Sequence, residues 1–258
     1  MKRLILFVIL ALALLTAALC LIKINQSQIT SRIMGCKVTI IIKDKNPRPH
    51  LYAALARLRE IEKLLSRYDE NSEVSRLNRS EKFTLSDDTK RCLALAEAAK
   101  KITSGTFNAR YSGKLNLDGI GKGYAVEEAR RLLFKRGVKN AMIDMRSSIA
   151  VLGGPWKIGI QHPRKKDEIL GVIVLKDGQA LSTSGDYEQG RHIIDPKTGK
   201  PAAACQAVTV VYKDAGMADA LSTGIYVLGP KKGLELAKKL GLGVLIVDAF
   251  GKVTKYNL

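Results

Sequence analysis

The stretch 117–125, Leu-Asp-Gly-Ile-Gly-Lys-Gly-Tyr-Ala, places three glycines at alternate positions directly before a run of helix-forming residues. Glycine lets the backbone adopt a positive φ and approach a ligand without a Cβ clash. The start of a helix offers unpaired N–H groups and the positive end of a dipole, and Lys122 adds a full positive charge there. The stretch therefore predicts a phosphate-binding turn, with a tight connection as the alternative.

A long apolar segment near the N-terminus determines the expected cellular location. Two basic residues precede residues 4–22, which are all apolar or small, and a lysine ends the run. The run is longer than most signal-peptide cores and is nearly long enough to cross a bilayer. We therefore expect residues 1–24 to be a signal peptide or membrane anchor, with the remainder of the chain exported.

Beyond this segment, helical and strand-like patterns follow one another without a linker, a repeat or a low-complexity tract. Apolar residues at helical spacing predict helices, whereas alternating or β-branched runs predict strands. Helices are expected at 50–65, 87–102, 124–136, 216–226 and 234–240, and a short turn or helix at 74–78. Strands are expected at 34–42, 141–145, 149–152, 156–161, 169–175, 180–181, 207–212, 244–248 and 252–256. This order predicts one α+β domain over residues 30–258.

Three details of this pattern can be compared with the structure. Strand 34–42 is expected to be the first of the exported body. Asp177-Gly178 predicts a hairpin turn between strand 169–175 and the next strand. The helix at 124–136 is expected to bury its apolar residues and to present a charged outer face.

The formal net charge is +19, and Lys and Arg occur in every segment. This spread indicates solvated surfaces and attraction to anionic lipid head groups. The sequence contains no nucleic-acid-binding motif and no basic stripe interleaved with aromatic residues, so we expect no nucleic-acid partner.

The four cysteines, Cys20, Cys36, Cys92 and Cys205, are far apart and form no Cys-x-x-Cys or Cys/His cluster. A zinc site is therefore disfavoured. For the last three, free buried thiols are favoured over a disulfide pair. Lipidation of Cys20 is less favoured than an uncleaved anchor, because Leu19 stands where lipoprotein cleavage needs a small residue.

Two groups of residues are candidates for chemistry. Asp219 and Thr223 lie four residues apart in a predicted helix and so share one face, where a carboxylate and a hydroxyl suit Mg²⁺. An ordinary polar helix face is the alternative. His192, in a predicted short strand that ends at Asp195, is a candidate general base near neutral pH, with a structural role as the alternative.

The sequence lacks the commonest motifs of hydrolases, zinc proteases and P-loop proteins. These motifs are Gly-x-Ser-x-Gly, His-Glu-x-x-His and Gly-x-x-x-x-Gly-Lys-[Ser/Thr], respectively. A metal-bridged phosphate site remains.

These pieces occur in an order that resembles the ApbE family of FAD:protein FMN transferases. The resemblance extends over essentially the whole exported body and rests on Met34-Gly35, Ser66-Arg67-Tyr68-Asp69 and the segments 72–78, 119–125, 156–161, 182–187, 192–199 and 218–223. It implies a mixed, largely antiparallel sheet with packed helices. It also implies Mg²⁺-dependent attack of a Thr or Ser hydroxyl on the pyrophosphate of FAD, which leaves FMN as a phosphoester and releases AMP.

The resemblance also implies roles for individual residues. The metal ligands would be Gly119, Asp219 and Thr223. The residues near FAD would be Met34, Tyr68, Thr106, Phe107, Asn108, Asn116 and Lys122, and those near the reacting phosphate would be His192 and Asp195. The implied partner is an exported electron-transfer protein, a flavoprotein subunit of a membrane redox complex. The implied location is the inner membrane, with the body on the periplasmic side.

The sequence departs from the family pattern at several positions. Asn108 and Asn116 are neutral amides where the family usually has carboxylates, Arg146-Ser147-Ser148 replaces Gly-Gly-Asp, and the segments at 110–114 and 187–192 are short. Two other functions therefore stay open: an FAD pyrophosphatase that uses water, and a flavin-binding scaffold without turnover.

Overall fold

The computed structural model describes residues 25–186, 190 and 192–258. The predicted signal peptide or membrane anchor at 1–24, with Cys20, lies outside the described residues. Within the described part of the chain, no helix has both the length and the apolar composition that a membrane span needs. Within the described residues, no disulfide is formed. Cys92 and Cys205 are buried, as expected, whereas Cys36 is only partly buried.

An eight-stranded sheet forms the centre of the molecule, in the order β1-β2-β5-β6-β9-β10-β11-β12, and all its neighbouring strands are antiparallel. Two further pairs, β3-β4 and β7-β8, form separate two-stranded sheets. The strands are β1 (Asn25–Ile33), β2 (Cys36–Asp44), β3 (Arg110–Tyr111), β4 (Lys114–Leu115), β5 (Ala141–Asp144), β6 (Ser148–Leu152), β7 (Trp156–Gln161), β8 (Ile169–Leu175), β9 (Ala180–Gly185), β10 (Cys205–Tyr212), β11 (Gly243–Asp248) and β12 (Val253–Tyr256).

Six helices are found in the described chain, and they confirm the expected α+β class. They are α1 (Pro47–Leu65), α2 (Glu73–Asn78), α3 (Asp87–Ile102), α4 (Gly121–Lys135), α5 (Ala215–Leu228) and α6 (Pro230–Leu240). Ser86 caps α3 as predicted, because its side chain accepts a hydrogen bond from the N–H of Thr89.

The central sheet is buried on both faces, so the molecule has three layers. Successive side chains of a strand point to opposite faces. Val244 and Ile246 of β11 therefore join the core that contains the helices, whereas Leu245 and Val247 join a second core that contains the β7-β8 pair. This double burial explains why β6 and β11 are almost continuous apolar runs rather than alternating ones.

The expectation that strand 34–42 comes first was wrong. Strand β1 precedes β2 and pairs with it along its whole length. Its sequence, Asn-Gln-Ser-Gln-Ile-Thr-Ser-Arg-Ile, is mostly polar because β1 is an edge strand with little burial. Met34 and Gly35 form the two-residue hairpin turn between these strands, and both have a positive φ.

The predicted hairpin at Asp177-Gly178 was also wrong. A turn forms there, but it joins β8 to β9, and these strands belong to different sheets. Turn-forming residues indicate that the chain reverses direction, but which strands then pair depends on tertiary packing. The expected short strand at 192–195 is reduced to a single bridge between Ile194 and Pro201.

Helix α4 begins at Gly121, three residues earlier than expected. Its charged side chains are divided: Arg131 and Lys135 are exposed, as expected, but three others are buried. Glu127, Glu128 and Arg130 are 4%, 7% and 8% exposed. Glu127 pairs with Arg130 at 2.7 Å and accepts the N–H of Ala215 at 3.1 Å. The charges are tolerated inside because each has partners, and they attach α4 to the start of α5.

Candidate active site

A cleft of about 910 Å³ lies beside the central sheet. Its walls come from the β1-β2 turn, the segment after α1, residues 106–122, strands β5, β6, β7 and β9, residues 192–196 and helix α5. All the site residues predicted from the sequence line it except Asp195: Met34, Tyr68, Thr106, Phe107, Asn108, Asn116, Gly119, Lys122, His192, Asp219 and Thr223. The volume is in the range of pockets that hold cofactor-sized ligands.

Asp219 is the most buried acidic group of this cleft, with only 4% of its surface exposed. Its Oδ1 accepts a hydrogen bond from the Ser182 hydroxyl at 2.9 Å, and its Oδ2 accepts the N–H of Gly123 at 2.9 Å. Burial raises the pKa of Asp219, and the charge of Lys122 and these hydrogen bonds oppose that rise. The carboxylate is therefore held in one orientation by donors that favour its ionised form.

The glycine-rich turn lacks the positive φ angles that its alternate glycines would allow. Gly119, Gly121 and Gly123 are all described, and none of them has a positive φ. A Cβ on Gly123 would lie 2.6 Å from the Cβ of Asp219, so a larger residue would separate α4 from α5. The Gly123 N–H, one of the unpaired donors at the start of α4, binds the Asp219 carboxylate, an anion within the protein.

Gly119 is packed against Thr223. A Cβ on Gly119 would lie 3.2 Å from the Thr223 hydroxyl and 3.3 Å from the Phe107 ring. The residues that the family resemblance implies as metal ligands are thus brought together by the approach of the 117–125 turn to α5. We call Gly119, Asp219 and Thr223 the floor of the cleft.

A second set of hydroxyl groups surrounds this floor. Ser184 lies 3.0 Å from the Thr223 hydroxyl and 2.8 Å from the Ser222 hydroxyl. Ser182 lies 3.0 Å from Ser148. The sequence analysis used segment 182–187 only for the family resemblance and gave its hydroxyl groups no role. The serines at alternate positions of β9 were the signal that could have found this role, because every second side chain of the strand faces α5.

The floor fits a hard divalent cation, for which a carboxylate, a hydroxyl and a backbone carbonyl are suitable oxygen ligands. The orientation of Asp219 by two hydrogen-bond donors is typical of a metal-ligating carboxylate. Within the described residues, no group of three or more His, Cys, Asp or Glu side chains is arranged to hold a metal. The fit therefore rests on this mixed oxygen set.

The rim of the cleft carries an exposed aromatic side chain. Tyr68 is 80% exposed, and the guanidinium of Arg67 lies 4.5 Å from the centre of its ring. Arg67 also pairs with Asp118 at 2.8 Å, which fixes this segment next to the glycine-rich turn. Met34 reaches the cleft from the hairpin turn, where its N–H donates to Glu62. Tyr68 and Met34 offer apolar surface to a flat ring.

Four other residues with predicted roles are held mainly by the protein itself. Thr106 and Phe107 are 6% and 4% exposed, and the Thr106 hydroxyl lies 3.0 Å from the carbonyl of Gly224. Asn108 accepts the N–H of Arg110, and Asn116 accepts the N–H of Asp118. Both amide oxygens thus stabilise local turns, as a carboxylate at the same positions would also do.

His192 and Asp195 differ from the floor in how they are held. His192 is exposed, and its Nδ1 lies 2.9 Å from the carbonyl of Gly190. When Nδ1 donates to that carbonyl, Nε2 is the nitrogen that can accept a proton. Asp195 accepts the N–H of Lys197 and the hydroxyl of Thr198, so both of its oxygens stabilise the turn that follows it.

Arg146 lines the cleft with a φ of 66°, a conformation uncommon for any residue except glycine. Its N–H donates to Asp144 at 2.7 Å, and burial raises the pKa of that carboxyl group. The left-handed backbone explains why glycine suits this position in the family pattern. Here the large, positively charged side chain of arginine occupies the position. The sequence analysis treated Arg146 only as a departure from the family pattern and assigned it no function.

The sequence model of the ApbE family matches residues 34–113 and 109–246. Proteins named FAD:protein FMN transferase are similar to this chain, such as that of Escherichia coli (strain K12), 32% identical over 53% of this chain, and that of Haemophilus influenzae, 33% identical over 52%. Each match covers 43% of the relative, so the matched stretch spans less than half of those proteins.

Solved structures resemble the fold over most of its length. The apbe protein from Thermotoga maritima has a TM-score of 0.81 and 26% identity, and the match covers 90% of this chain and 97% of that one. The flavin transferase ApbE from Vibrio cholerae has a TM-score of 0.80 and 23% identity, with 91% and 97% covered. This likeness confirms the predicted mixed, antiparallel architecture.

Proposed function

We propose, from the premise that this chain belongs to the ApbE family, that it is an FAD:protein FMN transferase. It would transfer the FMN part of FAD to a Thr or Ser hydroxyl of an acceptor protein and release AMP. The names of its curated relatives support the transferase activity.

The observation that carries the proposal is the floor of the cleft. Asp219 is almost completely buried, and burial raises its pKa, but the donors on both oxygens and the charge of Lys122 favour the ionised form. Burying an ionised carboxylate costs free energy, so its position inside the protein needs a functional reason. Holding a cation against the pyrophosphate of FAD is such a reason.

The proposed reaction moves one phosphoryl centre. The acceptor hydroxyl oxygen forms a bond to the phosphorus of the FMN half. The bond from that phosphorus to the bridging oxygen breaks, and AMP leaves with that oxygen and its electron pair. The proton of the hydroxyl passes to Nε2 of His192, which the Gly190 carbonyl leaves able to accept it. The reaction thus needs no water and no oxidant.

Other residues would position the substrate. Tyr68 and Met34 would contact the flavin ring, and Lys122 would neutralise part of the pyrophosphate charge. Bound Mg²⁺, with Asp219, Thr223 and the Gly119 carbonyl as its ligands, would supply further neutralisation of charge on the phosphates. Holding the groups in line would provide much of the remaining rate enhancement.

The acceptor and the location are also part of the proposal. The apolar run at residues 4–22 supports a body tethered to the inner membrane on the periplasmic side. There the acceptor would be a flavoprotein subunit of a membrane redox complex.

Mass spectrometry of both products tests the proposal. The protein is incubated with FAD, Mg²⁺ and the apo form of a redox subunit that carries FMN on a threonine. We expect the subunit to gain the mass of FMN while AMP appears in equal amount. The matched control is the same subunit with its attachment threonine changed to alanine.

Other outcomes would overturn the transferase proposal in distinct ways. FMN and AMP without labelled subunit would identify an FAD pyrophosphatase. Tight FAD binding without AMP would identify a flavin-binding scaffold.

A further inference from the structure

Strand β7 presents an unpaired edge to the cleft. Five consecutive residues of this strand, 157–161, line the cleft, although their side chains alternate between two faces. Because side chains on both faces of β7 border the same cleft, the edge of the strand must face that cleft. No residue of β8 lines the cleft, and among the described strands β8 is the sole partner of β7. The edge opposite β8 is therefore the one that faces the cleft.

Packing and one ion pair hold this edge in place. Ile158 and Ile160 of β7 are buried in the second core against the central sheet. Beyond the end of β7, Arg164 makes a two-pronged pair with Asp186 at the end of β9, at 2.6 and 2.9 Å. Strand β7 is thus anchored at its face and beyond its C-terminal end, so its backbone groups have defined positions.

On the outer face of the β7-β8 pair, the side chains of β8 are exposed and apolar. Ile169, Val172 and Val174 are 61%, 53% and 46% exposed. Val174 lies opposite Lys157 and Val172 lies opposite Gly159. Proteins usually protect exposed edge strands, and an unprotected edge with apolar neighbours is a site for pairing with another chain.

Charge adds a preference for the partner. Lys157 is exposed and lines the cleft. Within the described residues, no carboxylate lies within ion-pair distance of it. An acidic group on a partner would therefore find an available cation on this strand.

We propose that β7 is the docking edge for the acceptor protein, and that an extended segment of the acceptor adds to it as a further strand. The proposal rests on the transferase function, because the acceptor must bring a hydroxyl to the floor of the cleft. A Thr or Ser side chain is short, so its backbone must enter the cleft. Strand addition holds a backbone by its N–H and C=O groups and leaves alternate side chains free to point inward.

Hydrogen exchange tests this docking directly. The full chain is mixed with FAD, Mg²⁺ and the redox subunit whose attachment threonine is alanine, so that it binds without reacting, and is compared with the same mixture without the subunit. We expect amide exchange within residues 157–161 to slow at least about tenfold, on alternate residues. Strand β12, none of whose residues lines the cleft, should not change.

A charge variant provides an independent measurement. Lys157→Glu should raise the acceptor KM several-fold while the melting temperature stays the same. Lys232→Glu, which changes an exposed lysine on α6, is the matched control and should have no effect.

Each result has a defined meaning. Labelling of the unaltered subunit without protection at 157–161 would overturn the docking proposal and leave the transferase function standing. Absence of labelling by the unaltered chain would overturn both proposals. Protection with normal labelling but an unchanged KM in Lys157→Glu would reject the acidic preference and retain the docking edge.

Discussion

The floor of the cleft and the segment 192–199 both carry residues that the sequence marks for catalysis, but the fold holds them differently. Asp219 is 4% exposed, and its partners Ser182 and Gly123 come from β9 and α4, distant parts of the chain. His192 is exposed, and its partner at Nδ1 is the carbonyl of Gly190, two residues away. One site is built by tertiary packing and the other by a local turn.

This difference indicates a division of labour. A group that must hold a charge in one position benefits from burial and fixed dipoles, because no reorganisation is then needed during the reaction. A group that must receive a proton and then lose it to solvent benefits from exposure. We therefore expect substitutions in the floor to affect metal use and rate together, and substitutions in the 192–199 segment to affect the rate alone.

The largest effect is expected for Asp219→Asn. The amide keeps the shape of the side chain but removes its charge, so FMN transfer should fall on the order of a thousandfold, or about 4 kcal/mol of barrier. The rate of AMP release at saturating FAD measures this loss. The melting temperature should stay close to that of the unaltered chain, and a variant that transfers FMN at an undiminished rate would contradict the role of the floor.

The next effect is expected for His192→Ala. Loss of a general base should lower kcat about a hundredfold, and the Mg²⁺ concentration needed for half-maximal rate should not change. Asp195→Asn is the matched control in the same segment, and it should alter kcat much less because both of its oxygens stabilise a turn. A larger loss in Asp195→Asn than in His192→Ala would reverse the assignment.

A smaller and more specific effect is expected for Ser182→Ala. This substitution removes the hydroxyl that donates to Asp219 Oδ1. Groups that orient a metal ligand typically contribute about 10- to 100-fold to metal affinity, so the Mg²⁺ requirement should rise by that factor. Titration of activity with Mg²⁺ measures it, and the rate at saturating Mg²⁺ should largely recover. Ser31→Ala, on edge strand β1, is the control and should leave the Mg²⁺ requirement unchanged.

The smallest effect is expected for Tyr68→Ala at the exposed rim. Stacking of an aromatic side chain on a base-like ring contributes about 1–3 kcal/mol, so FAD affinity should fall about tenfold. Quenching of flavin fluorescence measures the affinity. Tyr68→Phe keeps the ring and should bind FAD normally, and an unchanged affinity in Tyr68→Ala would remove Tyr68 from the flavin site.

Much of the fold could be predicted because its signals are local. Helices α1, α3 and α6 and strands β10 and β11 follow apolar periodicity, and the Ser86 cap follows from residue type alone. Strand β1 could not be predicted, because an exposed edge strand has no apolar pattern. The sequence also did not predict that the strands on either side of Asp177-Gly178 belong to different sheets, because a turn does not specify which strands pair.

The candidate site divides in the same way. The family resemblance, which the family match confirms, identified all but one of its proposed residues among those that line the cleft. The contact of Gly123 with Asp219 was not predicted, because alternate glycines indicate freedom of the backbone but do not reveal which neighbour comes close. The edge of β7 was missed altogether, as an unpaired edge is defined by strand order.

Local order along the chain was enough to define the α+β class, the approximate positions of the helices and the motifs of the family. Only the tertiary structure decided that Gly123 gives its N–H to Asp219, that Ser182 orients the same carboxylate, and that β7 borders the cleft. The physical reason is that periodicity and capping act over a few residues. Close approach, burial of charge and strand pairing, in contrast, depend on elements far apart in the chain, as the Gly123–Asp219 bond at a separation of 96 residues illustrates.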